Sequence, residues 1–436
     1  MLQDFEKHID ENLSFLKKNK LLIAISGGMD SVVLTHLCHR LKLNVALAHC
    51  NFNLRGEESD ADEKFVTQLA AELNLEVFVQ NFNTISYAET QKLSIQMAAR
   101  ELRYQWFEDL SQQKGFEFVL TAHHADDNLE TILMNITRGT GLDGLIGIPT
   151  INRNIVRPLL PFSRAQISKF LKDNHLQWRE DASNASTKYI RNKIRHEVVP
   201  VLKEINPNVL NSIELLVDNL KDSRQIVADR MQRIKKKILD DSNPFEIRLD
   251  VSKLEKLKTP KPYLYQLLKD YGFSQWEDIL NLLNAKPGKY VCSPTHRLLK
   301  NRDELILTKN PSIEDETIII PDQFSEIVIP MGVLKFEEVD EIEKTNSKTI
   351  FVDAKKLKFP LILRKRKEGD LFYPFGMKGK KKLGKFFKDE KFSLVEKENT
   401  WLLCSGEYIV WVVGYRADNR FKVSDKTKKI LKVTVG

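Results

Sequence analysis

Six residues, Ser26-Gly27-Gly28-Met29-Asp30-Ser31, stand between two apolar runs and restrict the fold more than any other part of the chain. The run before them, Leu21-Leu22-Ile23-Ala24-Ile25, is short, unbroken and β-rich, which describes a strand buried on both faces. The run after them, Val32-Val33-Leu34 with Leu37, continues as the apolar side of a helix that begins near Asp30 and Ser31. Two glycines at such a junction let the backbone turn tightly and approach a ligand with no Cβ in the way. The helix start then offers free N–H groups and a positive dipole end, which together suit an anion. A lone Gly-Gly pair would mean only a turn; the serines and the aspartate make this one a candidate site.

Downstream, strand and helix alternate. Asn44–Ala48 reads as a strand, followed by a helix from about Ser59 to Leu73 with Asp60 and Asp62 near its positive end and Phe65, Val66 and Leu69 as its apolar stripe. Leu75–Val79, a helix from about Ser94 to Gln113, Phe116–Leu120 and a helix starting near Asp126 complete the series. Repeated βαβ units of this length predict an α/β domain with a doubly wound parallel sheet and ligands at the carboxyl ends of its strands. Ser26, His49, Asn51, His123 and His124 all fall at such ends.

The segment His123-His124-Ala125-Asp126-Asp127-Asn128-Leu129-Glu130-Thr131 concentrates titratable groups there. On a helix starting near Asp126, Asp127 and Glu130 share one face and can converge on a cation. Three readings compete: capping carboxylates around a buried imidazole, a two-histidine metal site, and an acid–base cluster that binds an amine. Adjacent histidines on an extended chain diverge, which weakens the metal reading. The anion loop in the same sheet favours the third.

At 436 residues the chain exceeds one compact core. We expect an α/β domain over residues 1–210, closed by Asn206-Pro207-Asn208; a mainly helical middle domain over 211–345; and a small β-rich domain over 346–436. The middle domain opens with a helix from about Val209 to Leu239, and the last contains the apolar strands Trp401–Leu403 and Tyr408–Val413. No run is long and apolar enough for a membrane span, and the acidic start Met1–Glu6 does not look like a secretory signal. Four scattered cysteines, Cys38, Cys50, Cys292 and Cys404, make no Cys-x-x-Cys pair, which speaks against structural zinc and redox dithiols and for a reducing cytoplasm.

The net charge of +8 matters because it is clustered: Leu361–Glu390 holds ten basic and four acidic residues. Phe372, Tyr373, Phe375, Phe386 and Phe387 interleave with them, a mixture suited to a nucleic-acid backbone. Gly379–Lys385 imitates a Walker A loop, but Phe386 stands where a magnesium-binding hydroxyl is required and no apolar strand leads in. We read it as part of the basic surface.

Taken together, the motifs resemble the bacterial tRNA(Ile)-lysidine synthases over nearly the whole chain. Beyond the segments above, the resemblance includes His49–Ser59, Ala99–Tyr104, Arg138–Gly141, Arg157–Leu160, Asp181-Ala182-Ser183-Asn184, Arg191-Asn192-Lys193-Ile194-Arg195 and Arg364-x-Arg366-x-x-Gly369-Asp370. Phe52 departs from it, standing where many members have histidine, and no role is assigned to it. The resemblance implies an adenine nucleotide α-hydrolase-like first domain with a pyrophosphate-binding loop (PP-loop). It implies a ligase that uses ATP to adenylylate the 2-oxygen of the wobble cytidine in tRNA(Ile) with a CAU anticodon. The ε-amine of free L-lysine then displaces AMP, switching decoding from AUG to AUA.

By the same resemblance, Ser26, Gly27, Gly28, Met29, Asp30 and Ser31 hold the tail of ATP, and Asp30 also holds Mg²⁺. Arg103 and His123 stabilise the intermediate or its oxyanion as cationic donors. Asp127 and Glu130 bind lysine, whose ε-amine has a free pKa of about 10.4 and attacks only after losing a proton. Arg100 and Arg103, taken singly, are ordinary surface charges; the one pointing to the sheet edge is the candidate. Asp181 ties down a loop, Arg195 meets tRNA or the active site, and Arg364, Arg366, Lys380, Lys381 and Lys382 bind tRNA. A homodimer is left open. Two rivals are a tRNA 2-thiocytidine thiolase, which needs paired cysteines, and a non-catalytic RNA-binding protein.

Overall fold

The apolar run at Leu21 forms β1 (Leu21–Ala24) in the middle of a six-stranded sheet. The other strands are β2 (Val45–Asn51), β3 (Val77–Asn81), β4 (Phe118–Leu120), β5 (Ile151–Asn152) and β6 (Ile155–Val156), in the order β3-β2-β1-β4-β6-β5. Every pairing is parallel except the β5–β6 hairpin. The computed structural model describes all residues except 180–189, 244–245, 311–316, 323–324, 330–331, 344–346 and 378. The expectations placed on Asp181–Asn184 and on the Lys378 charge lie outside the described residues.

Both faces of the sheet are covered, which is why β1 carries no polar alternation. Leu21 and Ile23 pack to one side with α1 (Leu2–Asn12), α2 (Met29–Arg40) and α3 (Glu57–Leu73) through Phe5, Val33, Leu37 and Val66. Leu22 packs to the other side against Phe107 and Leu110. These two lie on α5 (Ile95–Lys114), which follows α4 (Thr84–Gln91), a helix absent from the sequence reading. Each of the three β1 side chains is fully buried, contributing roughly 1.5–3 kcal/mol.

α6 (Ala125–Thr137) leaves the end of β4, and α7 (Leu142–Leu145) and α8 (Arg164–Asp173) follow. α9 (Ile190–Lys193) continues through a π-helical turn, Ile194–Val198, into α10 (Val199–Ile205). α11 (Val209–Ile238) is the long helix expected there. Its first half belongs to the α/β unit: Val209, Leu210 and Ile213 pack with Leu129, Ile194 and Val199, while Val217 meets Ile132 and Ile146. The first unit therefore runs Met1–Asp229 and the second Arg230–Gly436.

In the second unit, short helices at Val251–Glu255, Pro260–Leu268 and Trp276–Asn281 accompany an antiparallel five-stranded sheet built from residues 239–309. Two further antiparallel sheets enclose a core around Trp401 and Trp411. Thr317–Ile320 and Gly332–Val339 belong to these sheets through pairing with Leu361–Arg364 and Ile430–Val435, so the β-rich part begins before residue 346. Phe372, Phe386 and Phe387 are buried in this unit rather than offered for stacking. Tyr373 is half-buried, and Phe375 alone of the five interleaved rings is exposed.

The turn after β1 depends on Gly27, whose φ is +86° and whose Cα faces the Phe65 ring, 3.4 Å from where a Cβ would lie. Gly28 has φ −73°. In calorimetry, Gly27→Ala is expected to destabilise the first unit by about 1–3 kcal/mol, and Gly28→Ala by clearly less. Equal losses would contradict this reading of the turn.

Candidate active site

From β1 the chain adds β2 and β3 on one side and then returns to add β4 and β6 on the other, so the strand order reverses between β1 and β4. Open α/β sheets bind ligands at that reversal. The two strands pair Leu21 with Phe118 and Ile23 with Leu120, so they end level and deliver the glycine turn and His123–His124 together.

The turn is shaped by its own hydroxyls. Ser31 Oγ donates to the Gly28 carbonyl at 2.9 Å and accepts from Ser26 N–H at 3.2 Å, while Gly28 N–H points to Ser26 Oγ at 3.3 Å. Gly28 is the N-cap of α2 and supplies no side-chain acceptor, so the first-turn N–H groups remain for an external anion.

His124 is the N-cap of α6 and reciprocates with Asp127: His124 N–H donates to Asp127 Oδ2 at 3.1 Å, and Asp127 N–H points to His124 Nδ1 at 3.4 Å. The other ring nitrogen, Nε2, lies 3.4 Å from Asp127 Oδ2 and 3.7 Å from Asp30 Oδ2, which links α6 to the glycine turn. Burial opposes charge on this ring, but Asp30, Asp127 and Asp126 around it outweigh burial and raise its pKa above the ordinary 6.5. The 3.4 Å contact from Asp127 N–H to Nδ1 favours a neutral ring, while the carboxylates around the ring favour its charged form, and the net effect is the raised pKa.

Asp127 and Glu130 converge on cations as their spacing predicts, and the cations come from the chain itself. Arg191 donates through Nε to Glu130 Oε2 at 2.9 Å and through Nη2 to Asp127 Oδ1 at 3.0 Å. Arg195 donates through Nε to Glu130 Oε1 at 2.6 Å and through Nη2 to Asp127 Oδ1 at 2.9 Å. Glu130 is 1% exposed and Asp127 8%, a burial that ionised carboxylates tolerate only with such partners. Burial pushes the Asp127 pKa up, but His124 and Arg191 bring it below the usual range. Asp126 accepts from Arg164 N–H at 2.8 Å and pairs with Lys203.

The adjacent histidines diverge. His123 Nδ1 lies 3.0 Å from Thr121 Oγ1, and burial pushes the His123 pKa down to about 4. With its pKa at about 4, His123 is neutral near pH 7 rather than the cation expected from sequence, whereas the carboxylates around His124 raise its pKa. Arg103 is exposed on α5, its guanidinium 5.2 Å from the Phe52 ring centroid, just beyond the end of β2. Phe52 stacks on Phe82, so the residue left without a role supports Arg103 at the sheet edge. Arg100 instead lies over Tyr104.

Asp30 Oδ1 is buried and has no hydrogen-bond partner among the described residues, an orphaned acceptor of the kind a cation would satisfy. Among the described residues no group of three or more His, Cys, Asp or Glu forms a metal cage. A single carboxylate with one open oxygen suits Mg²⁺, which keeps its waters and shares substrate phosphates.

In the second unit, Arg364 gives its guanidinium to Asp370 in two bonds of 2.7 and 2.9 Å, and Lys381 pairs with Asp389 at 2.8 Å. Arg366, Lys380 and Lys382 are exposed. Sequence reading paired neither Arg191 nor Arg195 with the acids, although an i, i+4 arginine pair matches an i, i+3 acid pair. It missed Arg179 and its link to Asp62 altogether, because 117 positions separate them.

Fold and loop define a PP-loop nucleotide-binding protein, and the PP-loop domain family matches residues 1–202. The TilS substrate binding domain matches 242–310 and the TilS substrate C-terminal domain 361–433. The chain is 43% identical over 437 residues to the tRNA(Ile)-lysidine synthase of Parabacteroides distasonis, covering 99% of each chain. It is 40% identical to that of Bacteroides thetaiotaomicron, covering 98% of this chain and 97% of the relative. The identity to that of Caldanaerobacter subterraneus is 32%, with 99% and 97% covered. The chain belongs to the tRNA(Ile)-lysidine synthase family.

Because the folded pKa of His124 is raised, its stabilising charge is fully present below pH 6.5 and is lost as pH rises through that raised value. His124→Asn keeps a capping side chain without the charge. Its stability deficit is expected to be on the order of 1–3 kcal/mol below pH 6.5 and to shrink in alkali. A deficit independent of pH would place the charge elsewhere.

Proposed function

We propose that the glycine turn and the α6 cluster are two halves of one centre, where ATP is gripped by its tail and lysine enters beside its α-phosphate. The chain is an ATP-using ligase that converts the wobble cytidine of tRNA(Ile) into lysidine. In the reaction the cytidine 2-oxygen attacks the α-phosphorus and pyrophosphate leaves. The lysine ε-nitrogen then bonds to C2, the C2–O bond breaks, and AMP departs with the oxygen.

The N–H groups at Gly28–Ser31 and the hydroxyls of Ser26 and Ser31 receive the β- and γ-phosphates, with Gly27 permitting the close approach. Asp30 Oδ1 would hold Mg²⁺, which would supply charge neutralisation for the leaving pyrophosphate. Arg103 as a cation and His123 as a neutral donor steady the oxygen being transferred. Asp127 and Glu130 receive the lysine ammonium in exchange for guanidinium contacts, and one of them takes its proton as attack begins. Arg366, Lys380 and Lys382 meet the tRNA backbone; Arg364 and Lys381 hold that surface in shape. The first unit, Met1–Asp229, serves catalysis, and the second, Arg230–Gly436, serves tRNA binding.

The observation that carries this reading is the 3.7 Å approach of His124 to Asp30, which brings the phosphate loop and the amine-binding acids into one place. It is tested by mass spectrometry of the wobble nucleoside after unmodified tRNA(Ile) is incubated with enzyme, ATP and lysine. Lysidine should form with one AMP and one pyrophosphate per nucleoside. Asp30→Ala and Asp127→Ala should each lower the rate by about 100-fold or more. Wild-type turnover in either variant would refute the assignment. Lys380→Ala with Lys382→Ala should reduce the salt slope of tRNA binding by roughly 2. An unchanged slope would remove these lysines from the tRNA surface.

A further inference from the structure

We infer that Asp62 and Arg179 are positioning residues for the phosphate loop, fixing the direction in which Gly28 presents its N–H. The inference rests on the assignment of that loop to ATP.

The Gly27 carbonyl and the Gly28 N–H belong to one planar peptide, so holding the first aims the second. What holds the Gly27 carbonyl is the backbone N–H of Arg179, at 3.0 Å. Glycine leaves this peptide freer to rotate than any other residue would, so an outside anchor matters here. Arg179 itself lies beyond α8 in a segment with no helix or strand to fix it.

Its side chain does the fixing. Arg179 Nε donates to Asp62 Oδ1, and Nη2 donates to Glu58 Oε2 at 2.6 Å. Both acceptors lie near the start of α3, the helix whose Phe65 and Val66 pack against Gly27 from the other side. α3 thus holds the turn twice, directly through its apolar face and indirectly through Arg179.

Asp62 is 8% exposed, and its second oxygen, Oδ2, accepts from Arg55 Nη2 at 2.8 Å. Arg55 sits in the turn between Phe52 and α3. One buried carboxylate therefore braces the segments beyond both β1 and β2, the two edges on which the phosphate loop and the Arg103 shelf stand. Charge-assisted bonds of this kind are shorter and stronger than neutral ones, which suits a brace.

The test is titration with a non-hydrolysable ATP analogue, alongside steady-state kinetics in ATP, lysine and tRNA. Asp62→Asn and Arg179→Gln should each raise Kd and KM for the nucleotide roughly five- to tenfold, as expected for one misdirected hydrogen bond. KM for lysine and Kd for tRNA should stay within about twofold of wild type, a split that general destabilisation would not give. Arg179→Lys, which keeps a charge able to reach one acceptor, should recover part of the loss. The double variant Asp62→Asn/Arg179→Gln should be no worse than the singles. Arg179 is part-exposed, so Arg179→Gln decides the matter if the buried Asp62→Asn fails to fold.

Ser26→Ala provides the reference for the loop itself. If Ser26→Ala weakens the analogue but Arg179→Gln does not, the positioning role is overturned while the loop assignment survives. An Arg179→Gln loss shared equally among ATP, lysine and tRNA also overturns it. If Ser26→Ala binds the analogue as wild type does, the loop assignment falls and the inference falls with it.

Discussion

Four carboxylates meet at the start of α6, and the chain could not bury them without the cations it brings alongside. Asp127, Glu130 and Asp126 are nearly inaccessible, and Asp30 reaches them across His124. An unpaired charge at this depth costs several kcal/mol, so Arg191, Arg195 and Lys203 are required by the fold before any chemistry begins. The compensation also fixes position: one guanidinium from α9 and one from the π-helical turn that continues it reach one acid pair on α6, and the ring capping α6 reaches the glycine turn after β1.

The carboxylates of this pair are already fully compensated by the chain's own cations. Every oxygen of Asp127 and Glu130 already faces a cationic group, so an incoming ammonium must compete rather than fall into an open trap. The two histidines divide the remaining work. His124 is drawn into the carboxylate cluster, which raises its pKa; His123, turned toward Thr121, stays neutral and able to give a hydrogen bond without adding charge beside the arginines.

Local pattern revealed what local physics determines. The unbroken apolar run of β1 meant a strand covered on both sides, and the glycine turn, the start of α5 near Ser94 and the spacing of Asp127 and Glu130 were all legible. Contacts between distant segments were not. Nothing in the local pattern showed that Thr317–Ile320 pairs with Leu361–Arg364 far along the chain, and Arg179 gave no sign of Asp62. The aromatics of Leu361–Glu390 misled for another reason. Lysines beside Phe386 and Phe387 suggest a stacking surface, yet a short helix buries both rings while its lysines remain in water. Arg364 was similarly drawn inward, to Asp370.

That the phosphate loop grips the tail of ATP is the claim on which the remaining assignments stand. It is tested most directly by a crystal structure with Mg²⁺ and an ATP analogue resistant to cleavage. Phosphate oxygens should lie about 3 Å from the N–H groups of Gly28–Ser31, with the ion on Asp30 Oδ1. A triphosphate seated elsewhere, with this turn untouched, would contradict the account.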